Sequence, residues 1–242
     1  MVEVQNLEGS SSFVLICEHA SKFIPAEFKG LGLESEARVS HVAWDPGALA
    51  VAQHMSWLLD APLIAQEVSR LVYDCNRPPH DPTAMPEKSE IYQIPGNATL
   101  SEAQRAERVT RFYEPFRHRL ASLICERGEC EKPPVLLTIH SYTPIYNGKS
   151  RAVEVGILHD DDTRLADALL SCLQGCSFNV QRNAPYGPED GVTHTLKEHG
   201  LKNGLLNVMV ELRNDLIATP EQQGQMAELL SKALHKALPM CE

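Results

Sequence analysis

The chain has 242 residues, 43% of them hydrophobic, and 32 acidic side chains against 22 lysines and arginines give it a formal net charge of −10. That length suits one large α/β domain with a substantial core. The acidic balance and scattered basic residues argue against a nucleic-acid partner, which requires a basic footprint.

Taken in chain order, the sequence opens on Met1-Val2-Glu3-Val4, which has neither the basic region nor the apolar stretch of a signal peptide. No run approaches the roughly 20 apolar residues that span a bilayer, so a soluble, cytoplasmic protein without a membrane partner is expected. The run Phe13-Val14-Leu15-Ile16-Cys17 reads as a first strand and ends in Glu18-His19. The Pro46-Gly47 turn signal precedes an amphipathic helix over residues 48–59 with Asp45 near its start. Residues 61–65 read as a short strand, followed by Val68 to Asp74 and the dipeptide Asn76-Arg77. The proline-rich stretch 78–95 reads as a long loop, of the kind that is often functional inside a compact domain. Ser101 and Gln104 form a capping box for a helix running through Arg105 to about Glu126.

A third apolar run, Val135-Leu136-Leu137, leads into Thr138-Ile139-His140-Ser141. Strands are expected at 152–158 and 178–180, with a helix at 162–173 between them. A turn-rich loop follows at 183–191. The last strand, 205–212, carries Glu211 and leads into Arg213, and the last helix, 220–237, has Pro220 at its first position. Alternating strands and helices predict one α/β domain over residues 1–242, with a mostly parallel or mixed central sheet and helices on both faces. The seven cysteines, at 17, 75, 125, 130, 172, 176 and 241, are odd in number and form no paired CxxC. They read as reduced thiols, and the pair Cys172 and Cys176 is better read that way than as a ligand or redox pair.

In open α/β sheets the crevice beyond the carboxyl ends of the strands is the usual place for chemistry, so polar groups ending three apolar runs point to one shared site. A catalytic zinc takes three ligands from His, Asp or Glu and leaves a position for water. His19 and His140 are the natural pair. Asp45 is the best-placed third ligand and Glu18 its rival; strand alternation favours Asp45, since Glu18 is expected to face away from His19. Against these readings stand an N-cap role for Asp45 and structural hydrogen bonding for either histidine. Glu211, ending an apolar strand, is expected to have a raised pKa and to shuttle a proton, unless it pairs with Arg213. Arg70, Arg77 and Arg213 are candidates for gripping a substrate carboxylate, or are ordinary surface charges.

These residues resemble the N-formylglutamate amidohydrolase family over about residues 13–216. The resemblance rests on Glu18-His19-Ala20-Ser21 with Ile24-Pro25, on Asp45, and on Ser69-Arg70-Leu71-Val72-Tyr73-Asp74-Cys75-Asn76-Arg77-Pro78. Thr138-Ile139-His140-Ser141 and Val210-Glu211-Leu212-Arg213 complete it. It implies a zinc-exopeptidase-like, phosphorylase/hydrolase-like fold, and metal-dependent hydrolysis of the amide of an N-formyl acidic amino acid. His19, Asp45 and His140 would hold Zn2+ or another divalent metal, with Glu211 catalytic. Asn76-Arg77 is similar to the dipeptide with which carboxypeptidases hold a terminal carboxylate, and Arg70 or Arg213 would hold a second one. Ser141 joins the substrate-contacting candidates. Tyr186 and His194, in stretches similar to the family's, either act on the scissile carbonyl or serve as packing and turn residues. The family often has Pro-His-Ser-Gly where this chain has Glu18-His19-Ala20-Ser21, which leaves the exact substrate open. A peptide or peptidoglycan amidase on the same fold and a silent acylamino-acid-binding protein are the alternatives. The oligomeric state is not legible.

Overall fold

A computed structural model describes residues 1–128 and 133–241; Cys130 lies outside them. Seven strands, β1 (Val2–Gln5), β2 (Phe13–Cys17), β3 (Leu63–Gln66), β4 (Val135–Tyr142), β5 (Val155–Leu158), β6 (Val180–Arg182) and β7 (Asn207–Arg213), form one mixed sheet in the order β1-β3-β2-β4-β7-β5-β6. The central strands β3, β2, β4 and β7 are parallel. β1 is antiparallel to β3, β5 is antiparallel to β7, and β6 runs parallel to β5.

Helices cover both faces. On one lie α1 (Ala48–Leu59), α4 (Arg164–Cys172) and α5 (Pro220–Ala237), and on the other α2 (Glu102–Arg108) and α3 (Glu114–Gly128). Strand β2 shows why its run is apolar at every position. Phe13, Leu15 and Cys17 pack with Val51, Met55 and Leu230, while Val14 and Ile16 share the opposite core with Phe112, Phe116 and Leu120. Both faces of a central parallel strand are buried, so no polar alternation survives.

Several expected elements change. β1 was not anticipated. β5 and β6 are shorter than, or shifted from, the ranges 152–158 and 178–180. The helix expected through Arg105 to Glu126 is interrupted by a π turn at Val109–Tyr113, which turns Phe112 and Tyr113 into the core. Loop 78–95 contains a 3-10 turn, Pro82–Ala84, and a small ladder between Lys88–Ser89 and Tyr92–Gln93. The capping boxes at Ser101 and Thr219 are formed, and Pro220 opens α5. Cys172 and Cys176 are both free, one near Met240 and the other near the Phe178 carbonyl, and do not pair. Among the described residues no helix is long and apolar enough to cross a membrane.

Candidate active site

Because β2, β4 and β7 run parallel, their carboxyl ends open on one edge of the sheet. His19 follows β2, and His140 and Glu211 stand opposite each other on β4 and β7. Asp45 precedes α1 but does not cap it. The cap position is Gly47, in a left-handed conformation with φ +83°, and no side chain caps the helix. The Asp45 backbone N–H instead donates to the His19 carbonyl at 3.0 Å, which draws its carboxylate toward the histidines.

Three atoms converge. Nδ1 of His19 lies 3.2 Å from Asp45 Oδ2, Nδ1 of His140 lies 2.9 Å from the same oxygen, and the two nitrogens are 3.1 Å apart. All three residues are at most 3% exposed. The far nitrogen of each ring also meets a carboxylate: His19 Nε2 is 2.7 Å from Asp74 Oδ1, and His140 Nε2 is 3.1 Å from Glu18 Oε2. The His19 contact is a hydrogen bond, whereas His140 Nε2 and Glu18 Oε2 face each other at ion-pair distance off the hydrogen-bond line. With the proton of each ring on Nε2, both Nδ1 lone pairs face the Asp45 oxygen and the triangle holds three acceptors. Such a triangle repels itself unless a cation sits within it. Ligand atoms around a tetrahedral zinc lie roughly 3.3 Å apart, close to the spacings seen, and the group is able to hold a metal ion.

The electrostatics favour positive charge at this point. Burial and Arg70 lower the basicity of His19, but Asp74 and Asp45 more than restore it, and Glu18 and Asp45 do the same against burial for His140. Burial raises the carboxyls of Asp45 and Asp74, yet the imidazoles, with Arg70 at Asp74, hold both well below the ordinary range. Arg70 braces this arrangement, with Nη2 2.8 Å from Asp74 Oδ2 and Nη1 3.6 Å from Asp45 Oδ1. Ser141 donates its N–H to Asp45 Oδ2 at 3.2 Å and its hydroxyl to the Pro46 carbonyl at 2.8 Å.

Glu211 is buried beside the triangle, and its Oε2 has no hydrogen-bond partner. Burial, with Asp45 nearby, pushes its carboxyl up to about 7 against the opposing pull of the imidazoles. The alternative pairing with Arg213 is not made: Arg213 binds Asp215 at 2.8 Å and Glu154 at 3.3 Å.

The cleft over these groups has a volume of about 200 Å³. His19, Asp45, His140, Ser141, Arg70, Asn76, Arg77, Tyr186 and Glu211 line it, and so do His41, Tyr142 and Tyr146, which the sequence did not single out. Arg213 and His194 are not among the lining residues; His194 Nε2 lies 2.9 Å from the Tyr113 hydroxyl. Asn76 lines the cleft, but both ends of its carboxamide hold the loop across from it, Nδ2 donating to the Val192 carbonyl at 2.6 Å and Oδ1 accepting from Thr195 N–H at 3.0 Å. Arg77 is similarly engaged, with Thr83 Oγ1 and the carbonyls of Asn76 and Gly191. Glu18 neither joins the triangle nor lines the cleft. β2 ends at Cys17, so strand alternation no longer applies one residue later, and Glu18 reaches the far nitrogen of His140. Asp74 supports His19 and pairs with Arg70; its four-residue spacing from Arg70 is the one sign of that partnership in the sequence.

A sequence profile described as N-formylglutamate amidohydrolase matches residues 11–218. The chain belongs to that family. The matched span contains the histidines, Asp45, Asp74 and Glu211 and leaves α5 outside. Among solved structures, a gene product of Agrobacterium tumefaciens is 54% identical, with a TM-score of 0.97 over 98% of this chain and 94% of its own. An N-formylglutamate amidohydrolase from Ralstonia eutropha JMP134 shares the fold at 20% identity, with a TM-score of 0.64 over 99% of this chain and 97% of its own. No curated protein matches the chain. Membership in the N-formylglutamate amidohydrolase family makes this chain a hydrolase acting on a small molecule.

Proposed function

We propose that this protein is a metal-dependent amidohydrolase that cleaves the amide of an N-acyl acidic amino acid, with N-formylglutamate as the foremost substrate. The observation that carries the reading is the triangle of His19 Nδ1, His140 Nδ1 and Asp45 Oδ2, three mutually close acceptors whose outer partners are already carboxylates. Two imidazoles and one carboxylate with room for a further ligand suit zinc, and manganese, iron or cobalt accept the same donors. A metal held there supplies Lewis acidity, lowering the pKa of a bound water and polarising the acyl carbonyl.

The chain's own residues account for the rest. Asp74 fixes the tautomer and orientation of His19, and Glu18 stands as the charged partner at the far nitrogen of His140. Glu211, poised near neutrality by its burial, accepts the proton of the attacking water at its carboxylate and returns it to the departing amine nitrogen. The C–O bond forms as the carbonyl π electrons move onto its oxygen, and the C–N bond then breaks as the carbonyl re-forms and the amine takes the proton, giving formate and the free amino acid. Tyr186 lines the cleft, and burial pushes its hydroxyl up to about 12, so it remains a hydrogen-bond donor to the developing oxyanion at working pH. His194, engaged with Tyr113, is the weaker candidate for that role.

The test pairs metal content of the purified protein with formate release from N-formylglutamate, before and after chelation. About one ion per chain and release that chelation abolishes and metal restores are expected. Glu211→Gln is expected to retain the metal and lose roughly 10²- to 10⁴-fold in kcat; undiminished turnover in that variant would remove Glu211 from the mechanism.

A further inference from the structure

We propose that Arg151 is the residue that recognises a carboxylate of the substrate, holding it among the rings of Tyr142, Tyr146 and Tyr186. The inference rests on the acylamino-acid reading of the cleft and names the group that selects an acidic ligand. Arg70 and Arg77 line the cleft; Arg151, like Arg213, does not, but it packs against three tyrosines that do, and the other three arginines are committed elsewhere. Arg70 is paired with Asp74 and Asp45, Arg77 with Thr83 and two loop carbonyls, and Arg213 with Asp215 and Glu154. Arg151 has no carboxylate within 4.0 Å among the described residues, and its Nη1 is buried without a hydrogen-bond partner.

Its surroundings suit an incoming anion. The guanidinium carbon lies 4.4 Å from the Tyr146 ring centroid, 4.8 Å from Tyr186 and 5.4 Å from Tyr142, and all three tyrosines line the cleft. Contact with aromatic faces, and with the Tyr186 hydroxyl beside it, offsets part of the loss of water around the guanidinium, but Nη1 is left unsatisfied. A carboxylate matches two guanidinium donors at once. The backbone beneath is tethered on both sides. Arg151 N–H donates to the Pro144 carbonyl at 2.9 Å, closing the Ile145–Tyr146 and Lys149–Ser150 ladder, and Arg213 Nη1 donates to the Arg151 carbonyl at 3.2 Å. Arg213 therefore positions Arg151 and does not reach the ligand. Tyr146, on that ladder, is the most exposed of the three rings at 36% and is the one free to move aside as the carboxylate enters.

The experiment titrates metal-loaded wild-type protein, Arg151→Met and Arg151→Lys by calorimetry with L-glutamate, L-glutamine and L-isoglutamine. These share one framework and carry both carboxylates, only the α-carboxylate or only the side-chain carboxylate. In the wild type, replacing the carboxylate that Arg151 holds by an amide is expected to weaken binding roughly 10- to 100-fold. Arg151→Met should lose the same factor for L-glutamate and for whichever monoamide retains that carboxylate, leave the other monoamide unchanged, and so identify the carboxylate. Arg151→Lys, which keeps the charge and guards against a folding artefact, should fall between. Equal weakening of all three ligands, unchanged binding in Arg151→Met, or no binding to the wild type would overturn the proposal. Formate release from N-formylglutamate, measured in parallel, separates the two readings. Carboxylate selection by Arg151 without formate release in the wild type refutes the parent activity alone, and release with selection untouched in Arg151→Met refutes the role of Arg151 alone.

Discussion

Glu211 is an acid that the fold holds at some cost. Its carboxyl sits near 7 because burial disfavours the charged form. A group whose folded pKa lies above its unfolded value adds stability below the unfolded pKa and loses it as pH rises through the folded one. Ionising Glu211 in the metal-free protein is thus expected to remove roughly 3 kcal/mol between pH 4.5 and pH 8. Glu211→Gln cannot ionise, so its thermal midpoint should exceed that of the wild type at pH 8 and approach it at pH 5; a difference that does not grow with pH would count against the raised pKa. A cation in the triangle draws the carboxyl down from 7, so the acidic limb of kcat/KM should lie at or below neutrality. Asp74 acts one step further out. Asp74→Asn removes the charge from His19 Nε2 and from Arg70 together, and metal affinity measured against a competing chelator should fall about 10- to 100-fold.

The loop joining His19 to α1 depends on Gly47. An added Cβ there would lie 2.6 Å from the Ile217 carbonyl oxygen, and the backbone is left-handed at φ +83°. Gly47→Ala should therefore destabilise the fold by about 1–2 kcal/mol from conformation alone, with more from the clash, and should weaken metal binding because Asp45 lies two residues away; urea denaturation and the chelator competition measure the two effects separately. The same element shows what a sequence carries and what it hides. His19, His140 and Glu211 were legible because each interrupts a run that is otherwise apolar on both faces, and Asp45 because it precedes a clear amphipathic helix. β1 was hidden because Val2–Gln5 is a short edge strand, mostly half-buried, that among the described residues pairs with β3 alone. The buried turns of residues 68–77 were hidden for the opposite reason. Val68, Leu71, Val72 and Tyr73 are buried in the second core through turns, with no period to reveal them. The commitments of Asn76, Arg77 and Arg213, and hence the openness of Arg151, depend on loops distant in sequence, such as 191–195 for the first two.

At the scale of the molecule, four parallel strands deliver carboxylates and imidazoles to one edge of an already acidic protein, with a formal charge of −10. Asp45, Asp74, Glu18 and Glu211 are all buried around two histidines and Arg70, so the metal-free fold crowds acceptors that repel one another. A divalent cation relieves that crowding in the folded chain and finds no equivalent site in the unfolded one, so binding adds directly to stability. With free metal about 1,000-fold above its dissociation constant the gain is roughly 4 kcal/mol, which for a chain of this size raises the melting temperature by about 8–16 °C. Chelation should reverse the shift and metal restore it. The shift should shrink as pH falls toward 5, because protons compete for both imidazoles and the carboxylates. Replacing His140 with Ala should abolish the metal-dependent part while leaving a folded protein. A melting temperature indifferent to metal and chelator in the wild type would mean that the triangle is satisfied by a proton held between His19, His140 and Asp45, and the hydrolytic reading would lose its cation.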